Sequence, residues 1–218
     1  SVFGTGGMGK TKLVRHFAKE WSERLSGGAW FCDLTASKSA EGIVARVAAV
    51  LGIPLPAGEM AREVVGGALK ERGPLLLILD NFEQIVEVGA PLVEGWLEQA
   101  RELVVLVTTR ELLTIAAECV LTLEPLASSA GRELFCQRAG LEPGQLDEAK
   151  VEAIVKRLDG IPLAIELAAA RAGLLGLDVL SEQLEKSFDV LRTRRRDIPT
   201  RQATLRATVD WSWKLLGE

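Results

Sequence analysis

The chain has 218 residues, of which 48% are apolar and 26% are charged, and its formal net charge is −4. This composition indicates one large folded domain or two small ones, and it excludes a disordered chain. The negative net charge argues against a globally basic nucleic-acid-binding protein.

Three cysteines and one histidine provide too few ligands, too widely spaced, for a zinc site. The cysteines are Cys32, Cys119 and Cys136. They form no C-x-x-C pair, and their pattern is typical of buried small side chains in a reducing compartment, so we expect a cytoplasmic protein. No signal peptide or membrane span is expected, because Glu166 and Arg171 interrupt the longest apolar stretch, residues 161–177.

A glycine-rich segment at the start of the chain has the pattern of a phosphate-binding P-loop. Residues 4–11 are Gly4, Thr5, Gly6, Gly7, Met8, Gly9, Lys10 and Thr11, which fit G-x-x-x-x-G-K-[ST] at every fixed position. Backbone N–H groups can turn inward around a phosphate only at angles that glycine adopts easily. A helix beginning near Lys10 directs further N–H groups at the same anion. We predict that all eight residues bind nucleotide, that Lys10 contacts the β- and γ-phosphates, and that the Thr11 hydroxyl coordinates Mg²⁺.

The segments after this loop alternate between helical and strand patterns. Helices are predicted at residues 10–25, 39–51, 59–72 and 84–99, the last with a break near Pro91. Short apolar runs suited to buried parallel strands occur at residues 29–34, 75–80 and 103–107, and residues 120–123 are predicted to be a short fifth strand. The alternation predicts an α/β fold, the three-layer parallel sheet of a P-loop NTPase, as a nucleotide-binding domain over residues 1–125.

Two of these strands end in residues with the chemistry of a nucleotide site. Asp80 ends the run 75–80, and a carboxylate at that edge of a parallel sheet is suited to holding Mg²⁺ as a Walker B acid. Arg110 follows the strand at 103–107, where it could pair with the γ-phosphate or, alternatively, cap a surface turn. We predict Lys10, Asp80 and Arg110 as catalytic residues, and Thr11 with Asp80 as the metal site.

The composition changes after Pro125, and no further strand pattern occurs. Helices are predicted at residues 129–139, 147–159, 162–174 and 179–191, which indicates a small all-helical bundle over residues 126–191. Gly160 is suited to ending one helix in a left-handed conformation and Pro162 to starting the next. Residues 192–218 are predicted to be an arginine-rich linker and one amphipathic helix. The arginines fit a solvated linker better than a site for nucleic-acid phosphates or acidic partners.

Six motifs in this order resemble the NB-ARC domain of the STAND ATPases. They lie at residues 4–11, 75–83, 107–110, 123–126 with 133–135, 160–164 and 201–212. The resemblance implies that Pro162, in a G-x-P motif, lies against the adenine. The last segment is similar to the start of the winged-helix domain in bacterial members that regulate transcription.

The resemblance implies a molecular switch that binds ADP at rest and ATP, with Mg²⁺, when active. Exchange would open a longer protein and often drive its self-oligomerisation, with DNA contacted only through domains outside these residues and no membrane involved. The chain has no initiator Met and its P-loop begins at residue 4, so we expect a fragment. On the resemblance, the N-terminal end and most of the winged-helix domain would lie outside it.

Hydrolysis is expected to be slow at best. Asn81 stands where fast P-loop ATPases usually carry a second acid, and an amide cannot act as a base, although Glu83 is a possible substitute. Two alternatives remain at this stage. One is a small-molecule kinase or AAA+-like remodeller on the same fold, although no arginine-rich lid is visible between Thr109 and Val120. The other is a scaffold that holds ADP without turnover.

Overall fold

The computed structural model describes residues 1–56, 60–140 and 147–194, together with Val209. The chain divides into two compact units. The sheet unit consists of Ser1–Gly4 and Lys10–Leu123, and the helical unit consists of Thr5–Gly9 and the described residues from Glu124 onward. The helix predicted at residues 203–216, and all of the arginine-rich segment after Arg194, lie outside the described residues.

The described residues of the sheet unit form five strands, and all of their pairings are parallel. The strands are β1 (Val2–Phe3), β2 (Ala29–Asp33), β3 (Leu75–Asp80), β4 (Leu103–Thr109) and β5 (Leu121–Thr122). Their order in the sheet is β2-β3-β4-β1-β5. Because β4 lies between β3 and β1, the carboxyl ends of these three strands are neighbours at one edge of the sheet, where ligands of open α/β sheets bind.

Helices cover both faces of this sheet. They are α1 (Lys10–Trp21), α2 (Ala40–Leu51), α3 (Ala61–Glu71) and α4 (Val86–Gln99). All six residues of β3 are buried, and successive side chains point to opposite faces. Leu75, Leu77 and Leu79 join the core cluster formed with α2, α3 and α4, whereas Leu76 and Ile78 pack with Val14 of α1. The predicted α/β fold with a three-layer parallel sheet is confirmed.

One predicted feature of this unit is wrong, because the helix containing Pro91 does not break there. Helix α4 runs from Val86 to Gln99 with the proline inside it. Proline removes one backbone donor, and the carbonyl that loses its partner belongs to Glu87. Both residues are exposed, so that carbonyl lies on the solvent side. The residues after Pro91, including Val93 and Trp96, are buried in the core and hold the helix together.

The described part of the helical unit contains four helices around a second core. They are α5 (Ser128–Ala139), α6 (Glu148–Arg157), α7 (Pro162–Leu175) and α8 (Leu177–Arg194). Asp147 caps α6 by accepting from the N–H groups of Ala149 and Lys150. Phe135, Ile154 and Ile165 are among the fully buried side chains that join the helices. Among the described residues of the chain, no helix is both long and apolar enough to span a lipid bilayer.

The turn between α6 and α7 has the predicted geometry. Gly160 has a φ of +64° and Pro162 is the first residue of α7. The preceding Asp159 is also left-handed, with a φ of +51°. The turn contacts the segment just before α5, because the Gly160 carbonyl accepts a hydrogen bond from the N–H of Leu126 at 2.9 Å. A Cβ added to Gly160 would lie 2.5 Å from the Leu126 carbonyl oxygen.

Replacing Gly160 with alanine is expected to destabilise the protein by about 2–4 kcal/mol, since a strained backbone angle and a backbone clash act together. The matched control is Gly173→Ala, in α7, where an added Cβ meets no atom within 4 Å. That change should stabilise the protein by up to about 1 kcal/mol, through helix propensity. Urea unfolding followed by circular dichroism measures both, and equal midpoints for the two variants would show that the turn geometry is wrong.

Candidate functional site

The acid that ends β3 is buried against a hydroxyl from the first turn of α1. Asp80 is only 3% exposed. The Thr11 hydroxyl oxygen lies 2.9 Å from Oδ1 and 3.0 Å from Oδ2 of Asp80. The structure therefore brings together the two residues predicted to form the metal site, although they lie 69 positions apart in the sequence. A hydroxyl beside a carboxylate is a set of hard oxygen ligands that Mg²⁺ prefers.

Strand β4 supplies a second hydroxyl to the same carboxylate. The Thr108 hydroxyl donates to Asp80 Oδ1 at 2.5 Å and accepts from the Asn81 N–H at 3.0 Å. Thr108 is 1% exposed, so this hydrogen bond is shielded from water. This hydrogen bond helps to fix the carboxylate. The sequence pattern did not identify Thr108 as a partner of Asp80.

A further acid lies at the same edge and was not predicted. Asp33 ends β2 and is the register partner of Asp80 across the sheet. Its Oδ1 accepts from the Thr35 hydroxyl at 2.6 Å and from the Asn81 amide at 3.1 Å. Hydrogen bonds from Thr35, then from Asn81, lower the pKa of the Asp33 carboxyl. The signal that could have found Asp33 is the one used for Asp80, an acid that ends an apolar strand.

Asn81 connects these two acids. It has a left-handed backbone with a φ of +64°, which asparagine tolerates better than most residues. Its side-chain amide nitrogen donates to Asp33 Oδ1, to Thr35 Oγ1 at 2.9 Å and, at 3.4 Å, to Asp80 Oδ2. The residue that replaces the usual second acid is thus a hydrogen-bond donor toward carboxylates, which is the opposite of a proton acceptor.

Lys10 begins α1, and its ammonium group donates to the carbonyl oxygen of Gly4 at 2.7 Å. Partial burial lowers the pKa of Lys10, and the negative charges of Glu83 and Asp80 act in the opposite direction. The first turn of α1 contains no acidic residue, so nothing there opposes an anion at the helix N-terminus. This environment is suited to a phosphate group, which would bring further negative charge to the ammonium.

Arg110, the predicted phosphate sensor, forms an ion pair in this structure. Its Nε lies 3.0 Å from Oε1 of Glu83. The sequence identified both residues as candidates but did not pair them. Glu83 comes from the short 3₁₀ turn after β3, and Arg110 follows β4, so adjacent strands deliver the two side chains to the same edge.

The middle of the P-loop belongs to the helical unit. Gly7 and Gly9 have φ values of +78° and +86°, in the region that glycine adopts most easily. An added Cβ at Gly9 would meet no atom within 4 Å. The Gly7 carbonyl accepts from the N–H of Leu163 at 3.1 Å. Leu163 follows Pro162 at the start of α7, so this contact lies within the helical unit.

The residues present fit a nucleotide with Mg²⁺. Gly7 and Gly9 have the backbone angles of a phosphate-binding loop. In the sheet unit, the N-terminus of α1 presents N–H groups and the Lys10 ammonium to an anion, and Thr11 with Asp80 provides oxygen ligands. Together with a parallel sheet in which β4 lies between β1 and β3, these features define a P-loop NTPase.

The chain belongs to the NACHT domain family, whose model matches residues 1–159. NACHT domains are STAND-type P-loop NTPases, so the predicted class is confirmed at this level. P-loop NTPases bind nucleotides, typically with Mg²⁺.

Among curated relatives, a Mycobacterium tuberculosis protein provisionally named an HTH-type transcriptional regulator is 37% identical over 225 residues. The match covers 100% of this chain and 25% of the relative. The Streptomyces griseus regulatory protein AfsR is 27% identical over 224 residues, covering 96% of this chain and 22% of AfsR. The chain thus spans about a quarter of the length of these relatives.

Among solved structures, the STAND protein with a tetratricopeptide repeat sensor from Pyrococcus horikoshii has a TM-score of 0.58 at 14% identity. The match covers 95% of this chain and 36% of that one. At this level of identity the likeness shows a shared fold and no more.

Proposed function

We propose that this chain is the nucleotide-binding switch of a longer cytoplasmic regulatory protein, holding ADP at rest and ATP when active. The observation that carries the proposal is the contact between Thr11 and Asp80, since P-loop NTPases use this pair of groups to hold Mg²⁺. Lys10 would bind the β- and γ-phosphates, the loop glycines would surround them, and Pro162 would contact the adenine. Arg110 would respond to the γ-phosphate.

A nucleotide switch requires that ATP make a contact with the protein that ADP does not make. A ligand shifts a conformational equilibrium only by its differential affinity for the two states, and the γ-phosphate is the one group by which ATP differs from ADP. Side chains that contact only this group therefore decide whether exchange changes the conformation. Arg110 is the candidate, because it is a cation after β4, whose neighbour β3 ends in Asp80.

We further propose that the protein is an NB-ARC-type member of the STAND class and that the longer protein regulates transcription in bacteria. The motifs at residues 160–164 and 201–212 and the mycobacterial relative's name support this proposal. Self-oligomerisation and DNA contact would then belong to the longer protein, with DNA reached through other domains. Residues 1–125, 126–191 and 192–218 would be the nucleotide-binding domain, the helical domain and the start of the next domain.

The chemistry at Asn81 favours a slow ATPase over a fast one. Its amide donates to Asp33 and Thr35 and has no capacity to take a proton from water. Glu83, the possible substitute base, is paired with Arg110. This arrangement fits a switch that hydrolyses ATP slowly better than it fits an AAA+-like remodeller or a kinase.

Steady-state ATP hydrolysis and the release of fluorescent ADP, measured on the same sample, test this function. We expect turnover below about one per second, which lies under the usual range for enzymes, with ADP release measurable on a similar time scale. Turnover of many ATP per second would contradict a switch and favour the remodeller or kinase alternative. Bound ADP that neither exchanges nor forms from ATP would favour the scaffold.

A further inference from the structure

The ion pair between Glu83 and Arg110 joins partners with different exposure. The Glu83 side chain is 16% exposed and the Arg110 side chain is 57% exposed. Oε1 of Glu83 faces the arginine, whereas Oε2 is buried and accepts no hydrogen bond from any described residue. A carboxylate held in this way depends on its one charged partner more than an exposed carboxylate does.

The backbone positions of Glu83 and Arg110 are both fixed, but only the Arg110 side chain is exposed enough to change its contacts. The left-handed Asn81 and the fully buried Phe82 determine where Glu83 lies. After β4, the Thr109 hydroxyl accepts from the N–H of Glu111 and donates to its carbonyl oxygen, which fixes the turn that carries Arg110. Since the Arg110 side chain is more than half exposed, the arginine is the partner that can exchange its contact.

The pair lies within electrostatic reach of the P-loop lysine. The negative charges of Glu83 and Asp80 raise the pKa of Lys10, and the positive charge of Arg110 lowers it. The end of β4 is beside the end of β3 on one side and β1 on the other, and β1 leads into the P-loop. A terminal phosphate bound by Lys10 and within reach of Arg110 would therefore compete with Glu83 for the guanidinium.

We propose that Glu83 is a latch that occupies Arg110 when the terminal phosphate is absent, so that the chain favours a nucleoside diphosphate over a triphosphate. The inference rests on the proposed function and adds a residue that sets its selectivity. A triphosphate gains the contact with Arg110 only after that side chain leaves Glu83, whereas a diphosphate leaves the pair in place. The latch lowers triphosphate affinity and has no direct effect on diphosphate affinity.

The test is a double-mutant cycle read by equilibrium binding. Wild type, Glu83→Gln, Arg110→Gln and the double variant are titrated with ADP and with a non-hydrolysable ATP analogue, both with Mg²⁺. Glutamine keeps the shape of the side chain and removes its charge. Glu98→Gln, an exposed residue near the end of α4, is the matched control. Circular dichroism and urea unfolding verify that each variant is folded.

With the latch, Glu83→Gln raises the affinity for the analogue by about 3- to 10-fold, the range of a partly exposed ion pair with one shielded partner. Its affinity for ADP changes by less than about twofold, and Glu98→Gln changes neither. In the Arg110→Gln background, removing the Glu83 charge has an effect at least about threefold smaller, because no arginine is released. Arg110→Met, which also removes the charge, serves as a second background if the glutamine variant is unstable.

Two results overturn the proposal. An equal gain in analogue affinity with and without Arg110 shows that Glu83 only repels the added negative charge. An unchanged ratio of analogue to ADP affinity in Glu83→Gln shows that the pair does not select between nucleotides. If the folded wild-type chain binds neither nucleotide, the proposed function itself fails, an outcome distinct from either result.

Discussion

Replacing Lys10 with alanine is expected to weaken the binding of ADP and of ATP by about 100-fold, while the protein remains folded. Lys10 is the first residue of α1, and hydrogen bonds to charged groups contribute about 1.5–3 kcal/mol each. A lysine that contacts two phosphate groups makes more than one of them. Binding of a fluorescent nucleotide, with competition by unlabelled ADP, measures the loss.

Lys19→Ala is the matched control for this prediction. Lys19 is an exposed lysine in the last turn of the same helix, and the substitution removes the same charge from the protein. We expect its nucleotide affinity to stay within about twofold of wild type, because surface charges beyond a Debye length are largely screened at physiological salt. Equal losses in the two variants would show that the net charge of α1, and not a contact by Lys10, attracts the nucleotide.

Replacing Asp80 with asparagine is expected to remove the contribution of Mg²⁺ to triphosphate binding. The substitution keeps the size of a side chain that is only 3% exposed, but it removes the charge that would face the metal. Even partners that only support a metal ligand are worth about 10- to 100-fold in affinity, so losing the carboxylate should cost at least that range. Titration of ATP with and without Mg²⁺ measures the effect, and metal-free ADP binding should change little.

The control on the neighbouring strand is Asp33→Asn. Asp33 is the register partner of Asp80. Its side chain accepts hydrogen bonds from Thr35 and Asn81, whereas the Thr11 hydroxyl contacts Asp80. We expect this variant to keep most of the Mg²⁺ effect. A larger loss in Asp33→Asn than in Asp80→Asn would move the metal site to the end of β2.

Local patterns predicted much of the fold and of the site. The glycine angles of the P-loop, the buried strand that ends in Asp80 and the left-handed Gly160 before Pro162 all depend on residues close together in sequence. For the same reason the P-loop and the Walker B acid are recognisable separately. Their contact through Thr11 follows once both are placed at the carboxyl edge of one parallel sheet.

Features that depend on which strands are neighbours were not predictable in the same way. The pairing of Glu83 with Arg110 requires that β4 lie beside β3, and no single segment encodes that order. The link from Asp33 to Asn81 depends on the register of β2 with β3. The unbroken helix through Pro91 reflects tertiary packing, which outweighs the local cost of a proline.

The most direct test of the central claim is a titration of nucleotide-stripped protein with ADP and with ATP, each with and without Mg²⁺, by calorimetry. The account predicts saturable binding of one nucleotide per chain, with Mg²⁺ strengthening ATP binding in wild type and failing to do so in Asp80→Asn. A folded chain that binds neither nucleotide at millimolar concentration would contradict it.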